Sequence, residues 1–185
     1  MRKVVSHTFV TLDGVAAVDA AMEDIVELRD DEEVLDEFFG KVAEEDAMLL
    51  GRVTYEEWAD HWPTSTSEPF AGHINTVPKY VASRSLDAAP WPGGDDATVL
   101  EGDLADAVNE LKQQPGGPIG VHGSPTLVEA LLRADVLDEM RLEVYPVLEG
   151  EGPRLFKDQG GRRRLRLADS RTTGTGVVIL TYTRL

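Results

Sequence analysis

Two hydrophobic patterns alternate along the first three quarters of this chain. Short apolar runs rich in β-branched residues predict strands at residues 3–12, 47–51, 79–83, 97–100 and 118–121. Apolar residues at helical spacing between these runs predict helices. The expected helices run from Asp30 or Asp31 to about Glu45, over about 52–60, over 70–76, from Leu104 to before Pro115, and from Pro125 onward. The Ala-rich segment 14–29 is ambiguous, and we interpret it as a loop with a short turn.

The pattern changes after Val136. Three strand candidates follow one another at 138–148, 163–171 and 176–183, without helices between them. Alternating strands and helices favour a parallel sheet, whereas successive strands favour antiparallel pairing. We therefore expect an α/β fold whose mixed sheet ends in an antiparallel hairpin. No repeat or linker interrupts the chain, so residues 1–185 are interpreted as one domain.

Composition excludes several function classes. The chain has 185 residues and no cysteine, so it has neither disulfides nor thiolate metal ligands. Eighteen basic and 34 acidic residues give a net charge of −16, which argues against nucleic acid and anionic membranes as partners. No apolar run approaches the roughly 18 residues that span a bilayer, and the start lacks the features of a signal peptide. We expect a cytoplasmic protein that acts on a small molecule.

Several well-known motifs are missing. The four histidines are scattered without metal-ligand spacing, so no metal site is expected. The chain has no G-x-S-x-G, no G-x-x-x-x-G-K-[ST] and no G-x-G-x-x-G after a strand. The basic run Arg162–Arg164 is interpreted as a solvated face.

Three junctions at predicted strand ends have residues suited to binding an anion. Gly51, Arg52 and Thr54 stand where a strand passes into a helix. Ser83 and Arg84 end the next strand, and a third junction contains Gly123, Ser124 and Thr126. Open α/β sheets bind ligands at the carboxyl ends of their strands, and helix N-termini attract phosphate.

Each junction also has an ordinary structural interpretation. Thr54 could cap its helix in a T-x-x-E capping box with Glu57, Arg84 could be a surface residue, and Ser124 could be a plain N-cap. Taken together, the junctions favour a dinucleotide site. Two helix N-termini can hold a pyrophosphate, and the Ser83–Arg84 pair suits a ribose 2′-phosphate.

The order of these segments resembles a known family, the RibD C-terminal domain of the dihydrofolate reductase-like superfamily. The matching segments are FVTLDG (9–14), GRVTYE (51–56), PKYVASRSL (78–86), the long segment 103–132, VLDEMRL (136–142) and YPVLEGEGPRLF (145–156). The resemblance implies a three-layer fold with a mixed sheet of about eight strands. It also implies an NADPH-dependent reductase, often a homodimer, that acts on a pyrimidine- or pterin-like heterocycle such as the 5-amino-6-(5-phosphoribosylamino)uracil of riboflavin biosynthesis.

The resemblance assigns NADPH contacts to eight residues of this chain. They are Gly51, Arg52, Thr54, Ser83, Arg84, Gly123, Ser124 and Thr126. For the homodimer it points to the antiparallel region. There we expect the terminal strand 177–183 to lie next to the strand 138–148 and at the edge of the sheet, where an uncovered strand favours association.

Fewer residues of the sequence are candidates for contact with the substrate than for contact with the cofactor. Asp13 ends the first strand and is a candidate to orient a substrate or relay a proton, or else it is the first residue of a turn. Trp62 and Phe70 are candidates to stack on a planar substrate, or else they belong to the core. The alternative function is a catalytically inactive nucleotide-binding or regulatory homodimer of the same fold.

Overall fold

The computed structural model describes residues 1–16, 32–157 and 161–185. Most of the ambiguous Ala-rich segment, and the expected helix start at Asp30 or Asp31, lie outside these residues.

The described residues contain one mixed sheet of eight strands. The strands are β1 (Val4–Thr11), β2 (Ala47–Gly51), β3 (Lys79–Ala82), β4 (Thr98–Val99), β5 (Ile119–His122), β6 (Glu139–Tyr145), β7 (Leu165–Thr172) and β8 (Val178–Arg184). Their order across the sheet is β4-β3-β2-β5-β1-β6-β8-β7. Strands β1 to β6 run parallel, and β8 pairs antiparallel with both β6 and β7.

Five α-helices flank this sheet within the described residues. They are α1 (Glu32–Val42), α2 (Arg52–His61), α3 (Phe70–Thr76), α4 (Leu104–Gln113) and α5 (Pro125–Arg133), and a short 3₁₀ helix (Trp62–Thr64) follows α2. Each face of the sheet has its own apolar core. Residues of α4 and α5 pack on one face around Val4, Ile119 and Val121, and residues of α1, α2 and α3 pack on the other around Met48 and Leu50.

The structure confirms the expected α/β architecture and the antiparallel hairpin formed by the last two strands. The first of the three successive strands, β6, runs parallel to β1 and antiparallel only to β8, because it joins the parallel part of the sheet beside β1. The terminal strand lies next to β6, as expected, but not at the edge of the sheet. β8 instead lies between β6 and β7, and β7 is the edge strand. The physical reason is burial: Ile179 is 7% exposed, whereas seven of the eight residues of β7 are exposed. The more apolar strand of the hairpin therefore takes the interior position.

Candidate active site

A cavity of about 1070 Å³ opens at the carboxyl ends of β2, β3 and β5. It brings together seven of the eight residues predicted to contact a dinucleotide. Those lining it are Gly51, Arg52, Thr54, Ser83, Arg84, Ser124 and Thr126. Gly123 lies directly behind this lining, because a Cβ there would be 3.2 Å from Thr54 Oγ1. The three junctions are thus parts of one site.

Two helices begin at this cavity. α2 starts at Arg52 immediately after β2, and α5 starts at Pro125 shortly after β5. The first backbone N–H groups of a helix have no partner within it and form the positive end of its dipole, so both starts suit an anion. A side-chain bond joins them, since Thr54 Oγ1 and Ser124 Oγ are 2.8 Å apart. A Cβ at Gly51 would overlap the Ser124 hydroxyl, so glycine is needed for this close approach.

The capping box at the first of these junctions is wrong, and the N-cap at the other is right in position only. Gly51 holds the N-cap position of α2, and Thr54 is a buried third residue of that helix, so no T-x-x-E capping box forms. Ser124 does hold the N-cap position of α5, but its side chain makes no capping bond. The cause is the same in both cases, because each hydroxyl turns toward the other instead of its own helix.

The backbone before α5 is unusual. Gly123 and Ser124 have φ values of 60° and 50°, both in the left-handed region. Glycine adopts this conformation freely, but for serine it is strained by about 1–3 kcal/mol. Strained backbone of this kind is concentrated at ligand sites, where the surrounding structure holds it in place.

The charges around the cavity differ in how they are engaged. Arg84 is exposed and makes no ion pair with any residue that the structure describes. Ser83 Oγ accepts the backbone N–H groups of Ser85 and Leu86 and lies 3.4 Å from Ser85 Oγ. Arg52 is bound to Glu56 at 2.7 Å. Sequence reasoning missed three acidic side chains of the lining, Glu57, Glu101 and Asp103.

Asp13 holds a loop together. Its carboxylate accepts bonds from Thr11 Oγ1 at 2.6 Å and from the backbone N–H groups of Glu149 and Gly150 at 3.2 and 2.9 Å. These bonds, led by the one from Thr11, lower the pKa of Asp13 to about 2. A carboxylate that is ionised at neutral pH and bound in this way supports the turn interpretation over the proton relay.

Trp62 and Phe70 are not brought to the cavity. The Trp62 ring packs edge-on against Phe70 at 4.9 Å and against Trp58 at 5.7 Å. Phe70 is 9% exposed and belongs to the core beneath α1, where it contacts Phe38. Both rings therefore take the core role that was the alternative to stacking on a substrate. The reason is that α3 packs its apolar face back onto the sheet.

A buried polar cluster lies beneath α1, and sequence reasoning missed it. His7 and His122, on the neighbouring strands β1 and β5, stack with ring centroids 5.2 Å apart. Glu45 lies between them, with His122 Nε2 hydrogen-bonded to Oε2 at 2.7 Å. His7 Nε2 is 2.8 Å from Oε1, close but not aligned as a hydrogen bond. Gly120 leaves room for this carboxylate, because a Cβ there would overlap it.

Burial and charge act against each other in this cluster. Burial is the main cause that lowers the pKa of His7. Burial alone would raise the pKa of Glu45, but the hydrogen bond from His122 and the close approach of both histidines to the carboxylate outweigh it and lower that pKa. In the described ranges, this cluster included, no group of three or more His, Asp or Glu side chains has the arrangement of a metal site, and no helix is long and apolar enough to cross a membrane.

Comparison with known proteins identifies the family. The model of the RibD C-terminal domain matches residues 2–179. The uncharacterised protein YyaP of Bacillus subtilis is 30% identical over 141 residues, which cover 74% of this chain and 73% of YyaP.

Three solved structures share the fold. A candidate riboflavin biosynthesis protein from Shewanella sp. PV-4 has a TM-score of 0.70 at 18% identity and covers 99% of both chains. A pyrimidine reductase-like protein from Corynebacterium diphtheriae has a TM-score of 0.69 at 15% identity over 100% of this chain and 92% of its own. Schistosoma mansoni dihydrofolate reductase has a TM-score of 0.59 at 16% identity over 100% and 99%. The chain therefore belongs to the RibD C-terminal domain family, with a dihydrofolate reductase-like fold.

Proposed function

We propose that this protein is an NADPH-dependent reductase of a small heterocyclic substrate of the pyrimidine or pterin kind. One observation supports the proposal above the others. Two helix N-termini and the unpaired cation of Arg84 meet in a single cavity at the carboxyl edge of the sheet. Membership of a family that contains reductases agrees with it.

The residues of the cavity fit a phosphorylated dinucleotide. The starts of α2 and α5 offer backbone N–H groups to a pyrophosphate, and the strained turn at Gly123 and Ser124 lets the backbone approach closely. Arg84 and the Ser83 hydroxyl offer a charge-assisted contact to a 2′-phosphate. When bound, a reduced nicotinamide supplies hydride. The chain's own part is to orient the reacting groups and exclude water.

The lining also contains acidic side chains. Glu57, Glu101 and Asp103 border the cavity, and Asp103 accepts the backbone N–H groups of Ala105 and Asp106 as the N-cap of α4. We propose a pyrimidine- or pterin-like heterocycle as the substrate, the class to which the 5-amino-6-(5-phosphoribosylamino)uracil implied by the resemblance also belongs.

Calorimetric titration with NADPH and NADH is the experiment that tests the proposal. We expect NADPH to bind more tightly, and absence of binding by either nucleotide would contradict it. Oxidation of NADPH with a panel of pyrimidines and pterins then separates an enzyme from the alternative, a binding module of the same fold without catalysis.

We also propose that the protein forms a two-fold homodimer through its antiparallel region. Because β7 is the exposed edge strand, the pairing would use β7 rather than the interior strand β8. Sedimentation at low and high salt tests this. A monomer of about 20 kDa in both conditions would refute it.

A further inference from the structure

Unpaired cations are concentrated in one short segment of this acidic chain, which we call the basic run. Its members are exposed and form no ion pair with any residue that the structure describes: Lys157, Arg162, Arg163, Arg164 and Arg166. Of the other described arginines and lysines, only Lys79 and Arg84 lack an acidic partner. Exposure agrees with a solvated face, but solvation does not explain why the unpaired cations lie together.

A second cavity, of about 280 Å³, opens beside the basic run. Its apolar part is formed by Leu132 of α5, by Phe156 and by Leu165 of β7. Leu132 and Leu165 pack against the core on the α4 and α5 face of the sheet, whereas Phe156 is 53% exposed. A half-exposed phenyl ring in a cavity offers its face or edge to another ring.

The charged part of this second cavity is mostly cationic. Lys157 and Arg163 of the basic run line it. The acidic residue of its described lining, Glu129, is already engaged, because Arg133 Nη2 lies 2.9 Å from Glu129 Oε1. The cavity therefore combines an apolar floor with two cations that have no acidic partner among the described residues.

The second cavity is separate from the proposed cofactor cavity. No described residue lines both, and they lie at opposite ends of α5. Pro125 and Thr126 at the start of this helix line the cofactor cavity, and Leu132 and Arg133 at its end line the second one. The helix is about 14 Å long, which exceeds the distance of about 8 Å over which physiological salt screens a charge. Each cavity thus attracts an anion through its own cations.

We propose that the second cavity binds a small organic anion that contains a ring, with the ring against Phe156 and the negative group on Arg163 and Lys157. The volume is close to the lower limit of ligand cavities, about 300 Å³, and so fits one ring system rather than a dinucleotide. This inference does not depend on the proposed function.

The net charge of the chain favours a small anion over a long one. A polyanion would extend from the basic run over a surface whose net charge is −16, and that surface would repel it. A small anion responds mainly to charges within the screening distance of about 8 Å, and at this cavity those of the basic run are positive.

Fluorescence titration with 8-anilinonaphthalene-1-sulfonate tests the site, because this probe joins aromatic rings to an anion. We expect saturable binding, and Arg163→Ala should weaken it by about 10-fold, the low end of a charge-assisted bond. The side chain is exposed, so this variant should fold. Arg84→Ala is the matched control, because it removes an exposed and unpaired arginine from the other cavity. Equal affinity of Arg163→Ala and the unmodified protein, or a loss with Arg84→Ala, would overturn the proposal.

The contributions of ring and charge can be measured separately. Phe156→Ser removes the exposed ring and should also weaken binding of the sulfonate probe. The uncharged N-phenyl-1-naphthylamine has the same rings without the sulfonate, so it should bind the unmodified protein more weakly and be insensitive to Arg163→Ala. Equal affinity of the two probes for the unmodified protein would show that charge plays no part, which contradicts the proposal.

Two competing occupants are distinguished in the same titration. Poly-L-glutamate that displaces the probe and binds more tightly than it would assign the site to an acidic protein segment. Probe binding that falls as the chain associates, with association followed by sedimentation, would mean that a second copy covers the cavity. Either result would overturn the small anion as the ligand, and we expect neither.

Discussion

Two polar regions of this molecule differ in how their groups are satisfied. At the carboxyl edge of the sheet, Arg84 is exposed and has no partner among the described residues. Beneath α1, Glu45 is 3% exposed and lies between His7 and His122. The edge leaves Arg84 for a ligand, whereas the buried carboxylate of Glu45 already lies against two histidines of its own chain. Some buried polar atoms of the interior have no hydrogen-bond partner among the described residues, and Glu143 Oε2 is one of them.

The contrast has an energetic consequence. An exposed ion or hydroxyl changes stability little when it is removed, because water replaces its partners. A buried charge that loses its partner is strongly destabilising. Substitutions at the edge should therefore change binding, and substitutions in the buried cluster should change folding.

Gly120→Ala should have the largest effect. Its Cβ would overlap the Glu45 carboxylate and move it away from both histidines, so we expect a loss of about 3–5 kcal/mol in the free energy of unfolding, measured in urea. Gly40→Ala is the control, because nothing lies within 4 Å of its Cβ position in α1, and alanine there should stabilise by about 0.5–1 kcal/mol. A loss no greater at position 120 than at 40 would mean that the cluster does not carry the stability assigned to it.

Gly123→Val should separate binding from folding. A branched side chain at a left-handed position beside Thr54 should block NADPH, and the strain should cost about 1–3 kcal/mol of stability. Gly93→Val also places a branched side chain at a left-handed position, with no atom within 4 Å and outside the cavity lining. Calorimetry should find that only the first variant loses NADPH binding. If both bind normally, the turn does not face the pyrophosphate.

Arg84→Ala should weaken NADPH binding by about 10- to 150-fold, the value of one charge-assisted contact. Affinity for NADH should change little, because NADH lacks the 2′-phosphate. Arg133→Ala removes another exposed arginine, one that is paired with Glu129, and serves as the control. Equal losses for NADPH and NADH would place Arg84 elsewhere than at the 2′-phosphate.

The pH dependence of stability should reveal the proton on Glu143. Its pKa is about 8 in the folded protein and near 4.5 when unfolded, so between these values the folded state holds a proton that the unfolded state releases. Unfolding of the unmodified protein thus becomes easier as pH rises through this window. Relative to it, Glu143→Gln should gain stability by up to about 1.4 kcal/mol per pH unit, levelling off above pH 8. A constant difference across the window would show that the carboxyl is ionised throughout.

The sequence predicted the edge of the sheet better than the interior. Ala47–Gly51 is a buried strand that ends in glycine, and Phe70–Thr76 has short helical spacing, so both were predicted within their observed bounds. The cavity residues follow from local signals as well, since glycines and hydroxyls at strand ends mark turns that begin helices. These features depend on residues that are close together in the chain, so a single sequence is enough to predict them.

The interior polar groups lack such signals. His7, Glu45 and His122 are far apart in the chain, and only the placement of β5 beside β1 brings them together. Glu143 stands within an ordinary strand pattern whose polar position would normally face solvent. The hydroxyls of Thr54 and Ser124 gave a misleading signal, because each fits a helix cap until the other is nearby. The positions of these side chains depend on contacts between residues that are far apart in the chain, and local sequence patterns do not reveal such contacts.

The contact between Gly51 and Ser124 makes two distant positions interdependent during evolution. A side chain at 51 would need the hydroxyl at 124 to disappear first, whereas loss of that hydroxyl alone creates no steric conflict. Divergence of this site should therefore be ordered, with glycine or alanine at 124 preceding any larger residue at 51. Libraries that vary the two positions together should recover functional pairs that libraries varying position 51 alone would miss.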